Sequence, residues 1–368
     1  MNQARSDATA TLLNNGKVLI AGGLDSNHPL PINSVELYDP SSNSFAPAAS
    51  LPSMNTARSS ATATLLFSGK VLIAGGVGPS FNSLDNVELY DPSTNSFAPA
   101  ASLPTMNTAR DGAIAALLPN GEVLIAGGEN NATSLKSVEL YNPTTNSFAP
   151  PASTPTMHDL RAFPTATSPL NGKVLIAGGL VGSTVGIQFI SNSVDLYDPA
   201  TNSFASGPTM LASRYSGEAA LLLNGNVLIA GGIGHGPLPP FQVSLRAVDL
   251  YDPAGNSFAP AASTPLMNQA RESATATTLN NGKVLIAGGL LIAVESGKVD
   301  ESILATVDLY DPATNSFAPA TSTPTMNNGR AGATATLLPN GKVIIAGGLI
   351  AGGQGVFGPT NSVELYTQ

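Results

Sequence analysis

Val18-Leu19-Ile20-Ala21-Gly22-Gly23 is the stretch that decides the fold, because the same hexapeptide returns along the whole chain. It begins again at Val71, Val123, Val174, Val227 and Val284, and once more as Val343-Ile344-Ile345-Ala346-Gly347-Gly348. Seven copies about fifty residues apart mark a stack of supersecondary units, none able to bury its apolar faces without a neighbour.

The cassette around each copy reads as four strands. In the second, Ala61-Thr62-Ala63-Thr64-Leu65-Leu66 is small, β-branched and apolar, which predicts strand A. Ser68-Gly69 leads into strand B, Lys70 to Ala74; the other six cassettes carry Asn-Gly there, a hairpin signal because both residues tolerate positive φ. After a loop of variable length, Val87-Glu88-Leu89-Tyr90 alternates with period two and predicts strand C. The turn Asp91-Pro92-Ser93-Thr94-Asn95 then gives strand D at Ser96-Phe97-Ala98-Pro99. One-sheet meanders of this kind bury both faces by packing around a ring, so the expected fold is an all-β, seven-bladed β-propeller of four-stranded antiparallel blades.

The Gly-Gly doublet closing strand B, the Tyr of Val-Glu-Leu-Tyr-Asp-Pro and the aromatic after the Asn-Ser turn resemble the kelch-repeat family over essentially all of residues 1–368. A single kelch-type domain is expected, its blades near 1–53, 54–105, 106–156, 157–209, 210–266, 267–325 and 326–368. One departure is plain. The last aromatic of typical kelch repeats is Trp, and here it is Phe: Phe45, Phe97, Phe148, Phe204, Phe258 and Phe317. The seventh cassette reaches only strand C at Ser362-Val363-Glu364-Leu365-Tyr366, which predicts a last blade of three strands. Its open edge reads either as the scar of a longer array or as an edge that pairs with another chain.

Composition narrows the function classes. A net charge of −9 argues against nucleic acid and anionic membrane surfaces. The longest apolar stretch, 284–294, is broken by Gly288-Gly289 and is too short to span a bilayer, and no signal peptide precedes the first repeat. Absence of Cys removes disulfides, thiol catalysis and thiolate metal sites, and leaves the compartment undecided. The expectation is a monomer.

Antiparallel alternation puts the B to C and D to A loops at one end of each blade and the A to B and C to D turns at the other. The turns are nearly uniform. The B to C loops are not: they run over 24–33, 77–85, 129–136, 180–192, 233–246, 290–305 and 349–361, and carry Phe81, Phe189, Phe241, Phe357, His28 and His235. Each Phe reads as a plug for its own loop, or several together as a contact surface.

Seven arginines precede strand A: Arg5, Arg58, Arg110, Arg161, Arg214, Arg271 and Arg330. In some kelch domains that capture acidic peptides, arginines at similar positions grip the ligand, so the resemblance implies an anion-binding mouth. Against this stand seven strand C acids, Glu36, Glu88, Glu139, Asp195, Asp249, Asp308 and Glu364, which suggest blade-to-blade ion pairs. Departures from the repeat, His158 ahead of Arg161 and Tyr215 and Glu218 beside Arg214, make His158, Arg161, Arg214, Tyr215, Glu218 and His235 a candidate site between blades 4 and 5, with Asp7, Asp111 and Glu272 as further acids at strand A starts.

Some kelch propellers are enzymes. Galactose oxidase-like chemistry needs histidine ligands for copper and a Cys-Tyr crosslink, and this chain has no Cys. A role like that of a sialic-acid mutarotase would fall to Glu218, Glu272, His158 and the arginines. Neither a nucleophile motif nor a phosphate-binding loop is visible, and no cofactor is expected. The reading is a non-catalytic scaffold that binds a protein or glycan at the loop face; the alternatives are an engineered, excised or recently amplified array without a ligand, and a carbohydrate-active enzyme.

Overall fold

The computed structural model describes residues 1–25, 30–168, 171–182, 189–236, 241–295, 297–352 and 356–367. The chain is all-β, a seven-bladed β-propeller of antiparallel blades. In blade 2 strand A is Thr62–Leu65, B is Val71–Ala74, C is Val87–Asp91 and D is Ser96–Phe97, hydrogen-bonded in that order. Thr62 lies opposite Ala74, Ala74 opposite Val87, and Tyr90 opposite Phe97. Strand D is shorter than its sequence predicts, because Pro99 cannot donate to the ladder and a 3-10 turn, Ala100–Ser102, follows it.

Contacts divide the chain into two compact units. One comprises Met1–Met157, Thr334–Gly348 and Pro359–Gln368; the other comprises His158–Ala333 and Leu349–Gly358. Within the first, the period of two in strand B is used on both faces. Val18 and Ile20 pack with Ile344 and Ala346 of blade 7, while Leu19 and Ala21 pack with Val71 and Ile73 of blade 2. Every side chain of strand B is therefore buried, and the run is continuously apolar although the sheet is antiparallel. The second unit repeats the scheme, Leu175 and Ala177 of blade 4 meeting Val227 and Ile229 of blade 5 around Met210.

The A to B turn differs from a two-residue hairpin. Leu66 N–H donates to the Lys70 carbonyl and Gly69 N–H to the Leu66 carbonyl, both at 2.9 Å, so the turn is longer and ends in a left-handed glycine, φ 81°. Asparagine takes the left-handed position in the C to D turns instead, as at Asn95, φ 49°.

Blade 7 has three strands among the described residues: Thr334–Leu337, Val343–Ala346 and Val363–Tyr366. Several B to C loops form hairpins of their own. The largest pairs Leu290–Glu295 with Lys298–Ile303, and in blade 5 the returning strand runs unbroken from Gln242 to Asp252. Phe81 and Phe189 do not plug their loops: they are 62% and 59% exposed, whereas Phe241 and Phe357 are half-buried. His28 lies outside the described residues. Among these residues no helix is long and apolar enough to cross a membrane.

Candidate functional site

The seven arginines are buried to 1% exposure or less. Each guanidinium whose contacts are described works inside its own blade. Arg58 Nη1 donates to the Gly75 carbonyl at 2.6 Å and the Asn86 carbonyl at 3.1 Å, and Nη2 reaches Glu88 at 3.2 Å. Glu88 also accepts the backbone N–H groups of Asn55 and Thr56 and the Asn55 amide. Burial pulls the Arg58 pKa down while Glu88 pushes it back up. The ion pairs Arg5–Glu36, Arg58–Glu88, Arg110–Glu139, Arg161–Asp195, Arg214–Asp249 and Arg271–Asp308 therefore close within a blade, not between blades as the charge pattern suggested. The reason is the return of strand C to the end of the sheet where strand A starts.

What links neighbouring blades is the arginine's backbone. Gly76 N–H donates to the Arg110 carbonyl at 2.9 Å, Gly23 to Arg58 at 2.9 Å, Gly348 to Arg5 at 2.9 Å, Gly179 to Arg214 at 2.8 Å, Gly232 to Arg271 at 2.9 Å and Gly289 to Arg330 at 2.8 Å. The Gly-Gly doublet and the arginine thus form one latch, its side chain holding the doublet of its own blade and its carbonyl receiving that of the preceding one. Sequence reasoning missed this half of the role, although the invariant spacing of doublet and arginine was its signal.

The expected site between blades 4 and 5 separates into two groups. His158 takes the place of the usual Asn: its N–H and Nδ1 contact Asp195 at 3.1 and 2.5 Å, while Arg161 grips the other carboxylate oxygen through Nε and Nη2 at 3.0 and 2.8 Å. Arg214 is committed to Asp249 and the Gly231 and Ala247 carbonyls. Tyr215 and Glu218 belong elsewhere. Both sense Glu272, which is 8% exposed and accepts the Ser273 hydroxyl. Burial, then Glu272, pushes the Glu218 carboxyl up from 4.5 to about 8, and the same two causes raise the Tyr215 hydroxyl. Tyr215 donates to Gln242 Oε1 at 2.9 Å, and Gln242 lies across the strand pair from exposed His235.

A second acidic group lies in the other unit. Asp111 accepts the Ser83 hydroxyl at 2.6 Å and is raised by burial, and Glu129 is raised by burial and by Asp111. Among the described residues no three His, Asp or Glu side chains are placed to hold a metal ion.

The family described as Kelch motif matches residues 5–52, 114–155 and 162–211. Kelch-like protein 35 of Mus musculus is 24% identical over 298 residues, covering 81% of this chain and 44% of that protein, so the chain spans less than half of that relative's length. A solved structure titled as a novel fungal alcohol oxidase with catalytic diversity among the AA5 family, in complex with copper, superposes with a TM-score of 0.71 over 96% of this chain and 72% of its own, at 19% identity. That likeness is one of fold.

Proposed function

Because this chain is a kelch-repeat β-propeller, we propose that it is a non-catalytic binding scaffold that presents its B to C and D to A loops to a protein or glycan. The observation that carries this reading is the contrast between one repeated framework and loops that differ from blade to blade. Strand B keeps a single apolar pattern throughout, whereas the loop of blade 6 extends into a ribbon whose residues 298–302 are exposed. Ordering such a ribbon costs conformational entropy that little burial offsets, so contact outside the chain is the natural use for it. Exposed Phe81 and Phe189 fit the same use. In this reading Arg5, Arg58, Arg110, Arg161, Arg214, Arg271 and Arg330 act indirectly, as ties that hold the loop bases, because their side chains are buried away from solvent.

The protein acts as a monomer in this proposal.

Glycan and peptide arrays test the reading, with the intact protein compared to a variant whose loops in blades 4 to 6 are cut to the length of that in blade 3. Binding that disappears with the loops supports it; no binding by the intact protein leaves a structural array without a ligand.

One observation favours a second reading. Glu218, protonated up to about pH 8 by burial and by Glu272, has the poise of an acid–base group in a carbohydrate-active enzyme. Turnover of a sugar that Glu218→Gln abolishes would establish it.

A further inference from the structure

The face formed by the A to B and C to D turns repeats a small electrostatic unit. A lysine after the turn glycine pairs with the aspartate ending strand C: Lys17–Asp39 at 3.2 Å, Lys70–Asp91 at 3.2 Å, Lys173–Asp198 at 3.5 Å and Lys283–Asp311 at 3.1 Å. Blade 3 inverts it. Glu122 stands at the lysine position and Asn142 at the aspartate position. Asn120 Nδ2 donates to one Glu122 oxygen at 2.9 Å and Asn142 Nδ2 to the other at 3.3 Å, so the carboxylate is fixed in place while its charge has no cation beside it in the cleft.

A third departure meets these two. In several blades the first residue within the A to B turn leans over the turn glycine of the next blade, Pro339 over Gly16, Asn14 over Gly69 and Leu223 over Gly282. In blade 2 that residue is Phe67. Its Cδ2 lies 3.3 Å from where a Cβ on Gly121 would stand, and the side chain is 71% exposed. Phe67, Glu122 and Asn142 line one cleft of about 470 Å³, and none of the described residues around it is basic. The corresponding cleft between blades 7 and 1, about 340 Å³, holds Pro339 and the neutralised Lys17–Asp39 pair instead.

We propose that the cleft between blades 2 and 3 binds an ammonium or guanidinium group, the side-chain head of a lysine or arginine on a basic peptide. Glu122 supplies the opposite charge, and the face of Phe67 supplies a cation–π contact. Asn120 and Asn142 hold the carboxylate ready, so little freedom is lost on binding. The net charge of −9 draws cations toward the protein. This site lies on the turn face and does not depend on the loop-face reading.

The test is a titration of the intact protein with acetyl-Gly-Arg-Gly-amide and acetyl-Gly-Lys-Gly-amide, followed by amide chemical shifts, with acetyl-Gly-Gln-Gly-amide and N-acetylglucosamine as controls. Saturable shifts centred on Gly121 and Glu122 are expected from the two cationic peptides alone. Two variants restore what other blades carry and so keep the fold. Phe67→Asn should weaken binding roughly two- to fivefold, the range of an exposed cation–π contact. Glu122→Lys with Asn142→Asp should weaken it about tenfold or more, since attraction becomes repulsion. Equal binding of the Gln peptide, saturable binding of the neutral sugar in its place, shifts centred elsewhere, or unchanged affinity in both variants would overturn the proposal.

Discussion

A Cβ built on Gly75 would stand 2.3 Å from the carbonyl oxygen of Arg110 in the next blade. Gly75 also has φ 64°, and its own carbonyl accepts from Arg58 at 2.6 Å. The doublet is therefore glycine for two reasons at once, a left-handed backbone and a neighbour's carbonyl pressed against it.

Gly75→Val should destabilise the protein by about 3 kcal/mol or more, since backbone strain adds to a collision with backbone that cannot swing away. Gly172 gives the control. Its φ is 80°, but nothing lies within 4 Å of its Cβ position, so Gly172→Ala should cost only about 1–2 kcal/mol. Denaturant unfolding of both variants checks the difference, and equal losses would refute the role given to Arg110.

Arg58→Met removes one member of a pair in which both side chains are 1% exposed. The Asn55 and Thr56 donors remain on Glu88, but a buried carboxylate without its guanidinium is costly, and a loss of about 3–5 kcal/mol is expected. A loss below 1 kcal/mol would show that the backbone donors carry Glu88 alone.

Glu218 makes stability depend on pH. Its folded pKa of about 8 lies above the ordinary 4.5, so between these values the native state holds a proton that the unfolded chain releases. Its contribution is fully present below pH 4.5 and is lost as pH rises through 8. The melting temperature should fall over that window and flatten above it, and Glu218→Gln should remove most of the fall. Parallel pH profiles for the two proteins would sink the assignment.

Phe97 sets the outer margin of blade 2. Its ring lies 5.3 Å from that of Tyr90, tilted by 52°, and it packs on the blade 1 cluster around Leu19 and Val35. Phe97→Ala should cost about 2–3 kcal/mol, less than at a fully buried site, because the ring is only half-buried. Thermal unfolding would check the value.

Much of the fold was legible because it is written in period two. Val-Leu-Ile-Ala sends alternate side chains to opposite faces, and seven copies oblige those faces to meet their neighbours. Turn residues were legible in place but not in form, since Asn15-Gly16 contributes only its glycine to the left-handed region. The candidate site was read less well. His158, Arg161 and Arg214 departed from the repeat or carried charge, yet the structure spends them on Asp195 and Asp249, while Tyr215 and Glu218 turn toward Glu272.

The chain by itself determined the strands, the number of blades and the division between a uniform face and an irregular one, because these follow from local periodicity and repetition. Only the tertiary structure decided that six of the arginines pair with a carboxylate of their own blade, that the carbonyls of Arg5, Arg58, Arg110, Arg214, Arg271 and Arg330 receive the preceding blade's glycine, and that Phe67, Glu122 and Asn142 share a cleft. Such facts depend on which atoms of distant residues arrive within 3 or 4 Å of one another, at the range of hydrogen bonds and packing contacts. A one-dimensional pattern carries which residues recur; it does not carry which of them meet.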